Sequence, residues 1–345
     1  MHVLVTGHTG FKGAWLVLML LERGYSVSGL ALDPVPGALY DRARLSDLLV
    51  HDLRVDIRDA SATRAAVADV RPDVVIHLAA QPLVRESYRD PRATYETNTM
   101  GTLNVLEAVD GAPGVRAQLI ITTDKVYRNV NQIWGYRESD ALGGVDPYSA
   151  SKAAADLVTQ SWMATSITQV PTAIARAGNV IGGGDVCADR LMVDLVTGFS
   201  CGRSVSLRYP QAVRPWQHVL DCLNGYLDLT DALLRGDASG EAFNFGPDAA
   251  SFVPVVAVAQ AVATLWGGGA AVSVDAGDHP PEANLLALDS RKAELTLGWR
   301  SRLGFDDSLR WTVAWEKRVR ADEDPRAVTL AQIREFATLG REDTR

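Results

Sequence analysis

The chain opens with short apolar runs set between longer mixed ones. Val3-Leu4-Val5 is β-branched and aliphatic without polar alternation, as expected of a parallel strand covered on both faces. The apolar stretch from Ala14 to Leu21 predicts a helix, and Glu22-Arg23-Gly24 closes it, with Gly24 as the stop. The alternation then repeats. Strands are predicted over residues 25–32, 53–55, 73–80, 119–122 and 171–176, with helices over 60–70 and 91–108 between them. Strand and helix alternating at these intervals predict an α/β fold built on a doubly wound parallel sheet.

Beyond Arg176 the pattern loosens: glycines cluster at Gly182-Gly183-Gly184 and strands become short and widely spaced. This predicts a smaller C-terminal substrate-binding domain, with 213–222 and 242–245 returning to the main sheet. Residues 1–180 with 212–248 are therefore expected to form the sheet domain, and 181–211 with 249–345 the smaller one. The charged tail from Asp322 onward reads as a surface helix. Gly267-Gly268-Gly269 reads as a surface turn, having no strand and helix around it.

Composition narrows the function. Of 345 residues, 47% are hydrophobic and 22% charged, ordinary for a globular enzyme. The net charge of −8 (34 basic against 42 acidic residues) argues against nucleic-acid or anionic-membrane partners. Cys187, Cys201 and Cys222 form no CxxC pair, which predicts free thiols, no metal site and a cytoplasmic location. The run from Ala14 to Leu21 is far too short to span a bilayer, and no signal peptide is expected ahead of a functional element that starts at Val3.

That element is the glycine triplet Gly7, Gly10 and Gly13, placed between a strand and a helix. Gly7 permits the tight turn, Gly10 lets backbone N–H groups approach a pyrophosphate, and Gly13 lets helix and strand pack closely. With His8, Thr9 and Phe11 between them, these residues are assigned to a dinucleotide cofactor. Asp33, at the end of the second strand, either holds the adenosine ribose or merely terminates the strand before Pro34. Arg42 and Arg44 follow in a loop and could meet a 2′-phosphate, so NADP stays open beside NAD. Asp56 can accept from an adenine amino group while Ile57 packs on the ring. Asp59 reads as the N-cap of the next helix. Leu78, Ala79 and Ala80 end the fourth strand and leave room for a nicotinamide ribose. Asn98 is expected on a buried helix face, as a cofactor-side residue or a satisfied core asparagine.

Two constellations carry chemistry. Tyr148 and Lys152 stand at i and i+4 behind Asp146-Pro147, hence on one face of a helix at its start. A lysine ammonium beside a phenol favours the phenolate, so Tyr148 can take a proton from a hydroxyl being oxidised. Thr123, Asp124 and Lys125 follow the fifth strand, at the edge where open α/β sheets place catalytic groups. Thr123 would bond the hydroxyl beside Tyr148, while Asp124 and Lys125 form an acid/base pair that simple dehydrogenation does not need.

With these residues assembled, the chain resembles the nucleotide-sugar 4,6-dehydratases among the extended short-chain dehydrogenase/reductases, and within them the branch acting on CDP-glucose. The likeness runs through TGHTGFKG (6–13), HLAAQPLVR (77–85), TTDKVY (122–127), WGYRE (134–138), GGVDPYSASK (143–152), RAGNVIGGGD (176–185), RPWQHV (214–219), NFGP (244–247) and LGW (297–299). The resemblance implies a Rossmann-type fold, NAD and a three-stage reaction. Tyr148, helped by Lys152 and Thr123, oxidises the C4 hydroxyl with hydride passing to NAD. Water then leaves across C5 and C6, with Asp124 as acid and Lys125 as base, and hydride returns to C6. It further implies pyrophosphate contacts from Asn179, Arg190 and Arg214, a base contact from Arg208 and a ribose contact from Glu282, with Gln81 and Leu191 in the substrate-binding set. A homodimer or homotetramer is the assembly it implies. Val186 and Val193 stand where the family carries tryptophan and proline, beside the nucleotide site. Other nucleotide-hexose substrates, of the UDP-N-acetylglucosamine or dTDP-glucose type, therefore remain alternatives, as do a 4-epimerase and a catalytically silent NAD(P)-binding sensor.

Overall fold

The computed structural model describes residues 1–165, 170–275, 277 and 286–339. Its centre is a seven-stranded sheet of His2–Thr6 (β1), Ser26–Ala31 (β2), Asp52–Arg54 (β3), Val74–His77 (β4), Ala117–Ile121 (β5), Thr172–Ala177 (β6) and the edge strand Ala242–Phe245. All neighbours pair in parallel, in the order edge strand, β6, β5, β4, β1, β2, β3. The chain starts mid-sheet, winds outward to β3, and crosses back to β4 on the other side of β1. The β1/β4 junction is thus the switch point outside which a Rossmann-type sheet binds its ligand.

Burial on both faces explains why the strands read as unbroken apolar runs. One face carries a core containing Trp15, Leu16, Tyr226, Phe243 and Phe245, the other a core of Leu4, Leu30, Val67, Val75 and Val105. The first helix, Phe11–Glu22, is sandwiched and buries residues on all sides. Caps set the other helices: Asp59 accepts from Ala62 N and Asp146 from Ser149 N, fixing Ala60–Val70 and Pro147–Ala164.

A third core joins Met192, Leu195, Phe199, Leu207, Trp216, Val258 and Val313 beyond the C-terminal ends of the strands. Residues 249–345, expected in the smaller domain, divide between two cores. Val258 and Leu309 belong to this third core, but Trp315, Ile333 and Phe336 join the first one. The tail helix Pro325–Thr338 is accordingly packed through Val328, Ile333 and Phe336 rather than riding on the surface.

The stretch 213–222 does not return to the main sheet. Pro215 lacks an N–H and splits it: Val213–Pro215 pairs antiparallel with Phe252–Pro254, and Gln217–His218 pairs with Val180–Ile181. His218 then accepts from Leu220 N and caps a helix, Val219–Arg235. The helix expected over 91–108 is broken by a π-helical turn at Glu96–Met100, a feature often found at functional sites.

Candidate active site

A cavity of about 730 Å³ opens along the C-terminal edge of the sheet and runs from Asp56 and Ile57 past the glycine turn to Arg208 and Arg214. Two glycines make the turn possible. Gly7 has φ +74°, and a Cβ there would lie 2.7 Å from Ala79 N at the end of β4. A Cβ at Gly13 would lie 2.2 Å from Gly7 O. Gly10 caps the helix without a side-chain bond, so the first turn's N–H groups face the cavity uncapped by the chain's own residues. This cradle fits the pyrophosphate of a dinucleotide.

Thr9, Phe11, Asp56, Ile57, Leu78, Ala79 and Ala80 all line the cavity. His8 does not. Its ring is buried and turned away, with Nε2 2.7 Å from Asp52 Oδ1 and the ring edge-on to Tyr40. Gly29 leaves the room for it, since a Cβ there would strike the imidazole at 2.3 Å. Asp33 stands just past Leu32 of the wall, its side chain 90% exposed and 3.3 Å from Arg54. Asn98, carried by the π-helical turn, is buried behind the wall. It accepts from Gln81 N at 2.8 Å and donates to Gln81 O and Ser151 Oγ. It thereby ties the end of β4 to the helix that carries Tyr148.

Beside the turn lie the groups to which the sequence assigns the chemistry. Tyr148, Lys152, Thr122, Thr123, Asp124 and Lys125 share one wall. Burial pushes the Tyr148 phenol up to about 12, the hydrogen bond to Thr123 and the charge of Arg190 pulling it partly back. Burial likewise lowers Lys152 to about 8, with Asp156 opposing and Lys12 assisting; its Nζ donates to Ile121 O at 2.9 Å. Thr123 Oγ1 donates to Asp124 Oδ1 at 2.9 Å. The other Asp124 oxygen, Oδ2, is buried and has no hydrogen-bond partner among the described residues. A buried carboxylate oxygen left unmatched by the protein is placed to meet a polar group of a ligand.

Arg190, Arg208, Arg214, Asn179, Leu191 and Gln81 also line the cavity. Arg190 is held by Asp185 Oδ2 at 2.5 Å, and Arg208 by Asp189 at 3.6 Å. Arg214 is buried and donates to Val213 O. The Gln81 amide is engaged with Leu83 and Thr94 rather than directed at the cavity. Glu282 lies outside the described residues. Sequence reasoning missed Lys12, Arg58, Cys187 and Trp216, which also line the cavity. Lys12 sat inside the fingerprint, and Trp216 beside Arg214, as the available signals.

The profile described as GDP-mannose 4,6 dehydratase matches residues 4–312. The chain belongs to this family. Within it, the protein is 42% identical over 343 residues to the CDP-glucose 4,6-dehydratase of Salmonella typhimurium, covering 97% of this chain and 95% of that relative. A dTDP-glucose 4,6-dehydratase of Xanthomonas campestris is 28% identical, over 90% of this chain and 92% of its own length. Among solved structures, a double mutant of a dTDP-glucose 4,6-dehydratase from Streptomyces venezuelae with NAD and DAU bound superposes with a TM-score of 0.80. It is 27% identical and covers 94% of this chain and 99% of its own. The dTDP-glucose 4,6-dehydratase of Bacillus anthracis in complex with NAD shares the fold, with a TM-score of 0.78 at 24% identity, covering 92% and 97%. No helix among the described residues of this family member is long and apolar enough to cross a membrane.

Proposed function

We infer that the protein is an NAD-dependent hydro-lyase that converts CDP-D-glucose to CDP-4-dehydro-6-deoxy-D-glucose. The observation that carries this reading is the buried, unpartnered Asp124 Oδ2, set beside Thr123, Lys125 and Tyr148 on the cavity wall. Dehydrogenation or 4-epimerisation calls for Tyr148 and its supports. An added carboxylate and lysine serve elimination. The 42% identity to a CDP-glucose 4,6-dehydratase supports the same choice.

NAD, held on the glycine turn, supplies the capacity to accept a hydride and to give it back. The protein's own groups handle the protons. Tyr148 takes the proton of the C4 hydroxyl, with Thr123 orienting that hydroxyl and Lys152 supplying positive charge. The 4-ketone so formed acidifies the C5 hydrogen. Lys125 removes that C5 proton while Asp124 delivers a proton to the C6 hydroxyl, which leaves as water. Arg190 and Arg214 hold the pyrophosphate, guanidinium groups being suited to phosphate oxygens, and Arg208 and Asn179 complete the nucleotide subsite.

The reading places the protein in the cytoplasm, where nucleotide sugars are made. It also implies a homodimer or homotetramer. Tyr88, Tyr95, Met100 and Leu157 lie exposed on the helical segments 84–100 and 147–164 and offer an apolar face for a second copy.

The test is isotopic. CDP-glucose deuterated at C4 should yield a 4-dehydro-6-deoxy product with deuterium at C6 and solvent hydrogen at C5. Deuterium returning to C4 means an epimerase, and deuterium on released dinucleotide means a dehydrogenase. Transfer with UDP- or dTDP-glucose but not CDP-glucose reassigns the base. No transfer with any nucleotide hexose leaves the silent sensor.

A further inference from the structure

Tyr148 is the second residue of the helix Pro147–Ala164, and the first turn of a helix is where backbone N–H groups lack partners of their own. Its neighbours there are answered locally. Pro147 has no N–H to satisfy. Asp146 Oδ1 accepts from Ser149 N at 2.9 Å, and Asp146 O accepts from Ala150 N at 2.9 Å. The N–H of Tyr148 is met from another segment: it donates to Ser87 Oγ at 3.0 Å.

Ser87 belongs to the short helix Val84–Arg89, which follows β4. It is fully buried, and its own hydroxyl proton goes to Val84 O at 2.6 Å. The hydroxyl therefore serves Tyr148 purely as an acceptor. The carbonyl of Tyr148 is held as well. Ser151 Oγ donates to Tyr148 O at 2.7 Å, and Asn98 Nδ2 donates to Ser151 Oγ at 2.9 Å. Tyr148 is thus fixed at its N–H by Ser87 and at its C=O through Ser151 by Asn98. Ser87 and Asn98 both come from the chain that follows β4, whose Val84 lines the cavity with Tyr148.

We propose that Ser87 is a positioning residue for Tyr148: by accepting its backbone N–H, the hydroxyl fixes the start of the helix and with it the place of the phenol on the cavity wall. This rests on the reading of Tyr148 as proton acceptor. The physical reason is leverage. Helix ends fray, and a first-turn N–H without a partner leaves that end unanchored. A phenol hydroxyl lies at the far end of a long, rigid side chain, so a slight tilt of the backbone is magnified there. Proton transfer needs its two heavy atoms within about 2.6–3.2 Å, and a displacement of about 1 Å can cost about a hundredfold. Ser87 is not part of the cavity wall, so its effect reaches a substrate through Tyr148.

Two measurements on the full-length protein test this. In the first, protein with saturating NAD is mixed with CDP-, UDP- or dTDP-glucose, and the absorbance of reduced nicotinamide is followed through the first turnover. With whichever sugar nucleotide the wild type oxidises, Ser87→Ala should transfer hydride about tenfold to a hundredfold more slowly. The sugar-nucleotide concentration that gives half the maximal rate should not move, and neither should NAD affinity. Ser87→Cys keeps the size and a weak acceptor, and should fall between the two. Where Ser87→Ala does not fold, the same comparison is made on Ser87→Cys alone. A wild-type transfer rate would overturn the proposal, as would slowing accompanied by an equal loss of affinity for both ligands, the mark of a general loosening.

The second readout needs no substrate. The chain has nine tyrosines, so nitrogen-15 labelling of tyrosine gives few amide signals, with that of Tyr148 assigned by its loss in Tyr148→Phe. Its amide hydrogen should exchange with solvent about tenfold faster in Ser87→Ala than in the wild type, the worth of one hydrogen bond, while the other tyrosine amides keep their rates. Unchanged exchange at Tyr148, or an equal rise at every tyrosine, also overturns the proposal. A wild type that oxidises none of the three sugar nucleotides would sink the functional reading alone, and the exchange rates would still decide whether Ser87 holds Tyr148.

Discussion

Gly178 packs directly against Asp124 in the cavity wall: a Cβ at Gly178 would lie 3.0 Å from Asp124 Oδ2. The glycine on the loop after β6 thus spares from a clash the Asp124 oxygen that has no hydrogen-bond partner among the described residues. Gly178→Ala should displace that oxygen while leaving Tyr148 and the glycine turn intact. We expect turnover to fall about tenfold to a hundredfold, as displacements of about 1 Å do in active sites. The near-ultraviolet absorbance of reduced nicotinamide should persist on the enzyme. A slow enzyme with no such absorbance would mean that the first transfer, and not elimination, had suffered.

Arg214 is buried and lines the cavity. Arg214→Ala should raise KM for CDP-glucose about tenfold to a hundredfold, the worth of a charge-assisted hydrogen bond pair, with NAD affinity unchanged. Titration calorimetry with each ligand separately checks both halves. An unchanged KM would take Arg214 out of the subsite.

Among the described residues Asp33 is held by an ion pair with Arg54 at the surface, which is worth little and can yield to a ribose diol. Asp33→Ala should narrow the preference for NAD over NADP by removing the repulsion of a 2′-phosphate. Equal binding of the two dinucleotides by the unaltered protein would instead make Asp33 a strand terminator.

Asp228, on the helix Val219–Arg235, is held up at about 6 by burial, against an ordinary 3.8. Between these values the folded chain binds more protons than the unfolded one, so stability falls as pH rises from about 4 to 6. Above 6 the full penalty remains. Asp228→Asn keeps a hydrogen-bond acceptor for Asn224, which donates to Asp228 Oδ2 at 2.7 Å. It should stabilise the protein at neutral pH by about 1–2 kcal/mol, at a scale of about 1.4 kcal/mol per pKa unit reduced for partial exposure. Thermal melts across this range should show a flatter slope. Some slope will remain, because Asp221 is also raised to about 6 by burial and is left in place.

Local sequence was legible wherever one stretch carries its own reason. The glycine turn needs Gly7 because a Cβ would strike β4, and Gly13 because it would strike the turn itself, so their spacing announced strand, turn and helix. Asp59 and Asp146 announced their helices because a cap acts within three residues. Tyr148 and Lys152 could be paired from spacing alone, one helical turn apart.

What failed depended on partners distant in the chain. The apolar run 213–222 has the content of a strand, but where it pairs is settled by 180–181 and 252–254, and His218 turns the rest into a helix. The tail looked like a surface helix because few of its positions, Val328, Ile333 and Phe336 with the partly buried Leu330, carry it into the first core. His8 belonged by position to the glycine turn. Its ring found Asp52 and the space left by Gly29 instead, 44 and 21 residues away.

The sequence by itself determined the parallel sheet and the glycine turn, and it named the candidate reacting groups, since each is specified within a short segment. Only the tertiary structure decided which of those groups share a wall, and that Lys12 donates to Cys222 and Tyr226. Burial and electrostatic surroundings are properties of space, and chain spacing does not encode them.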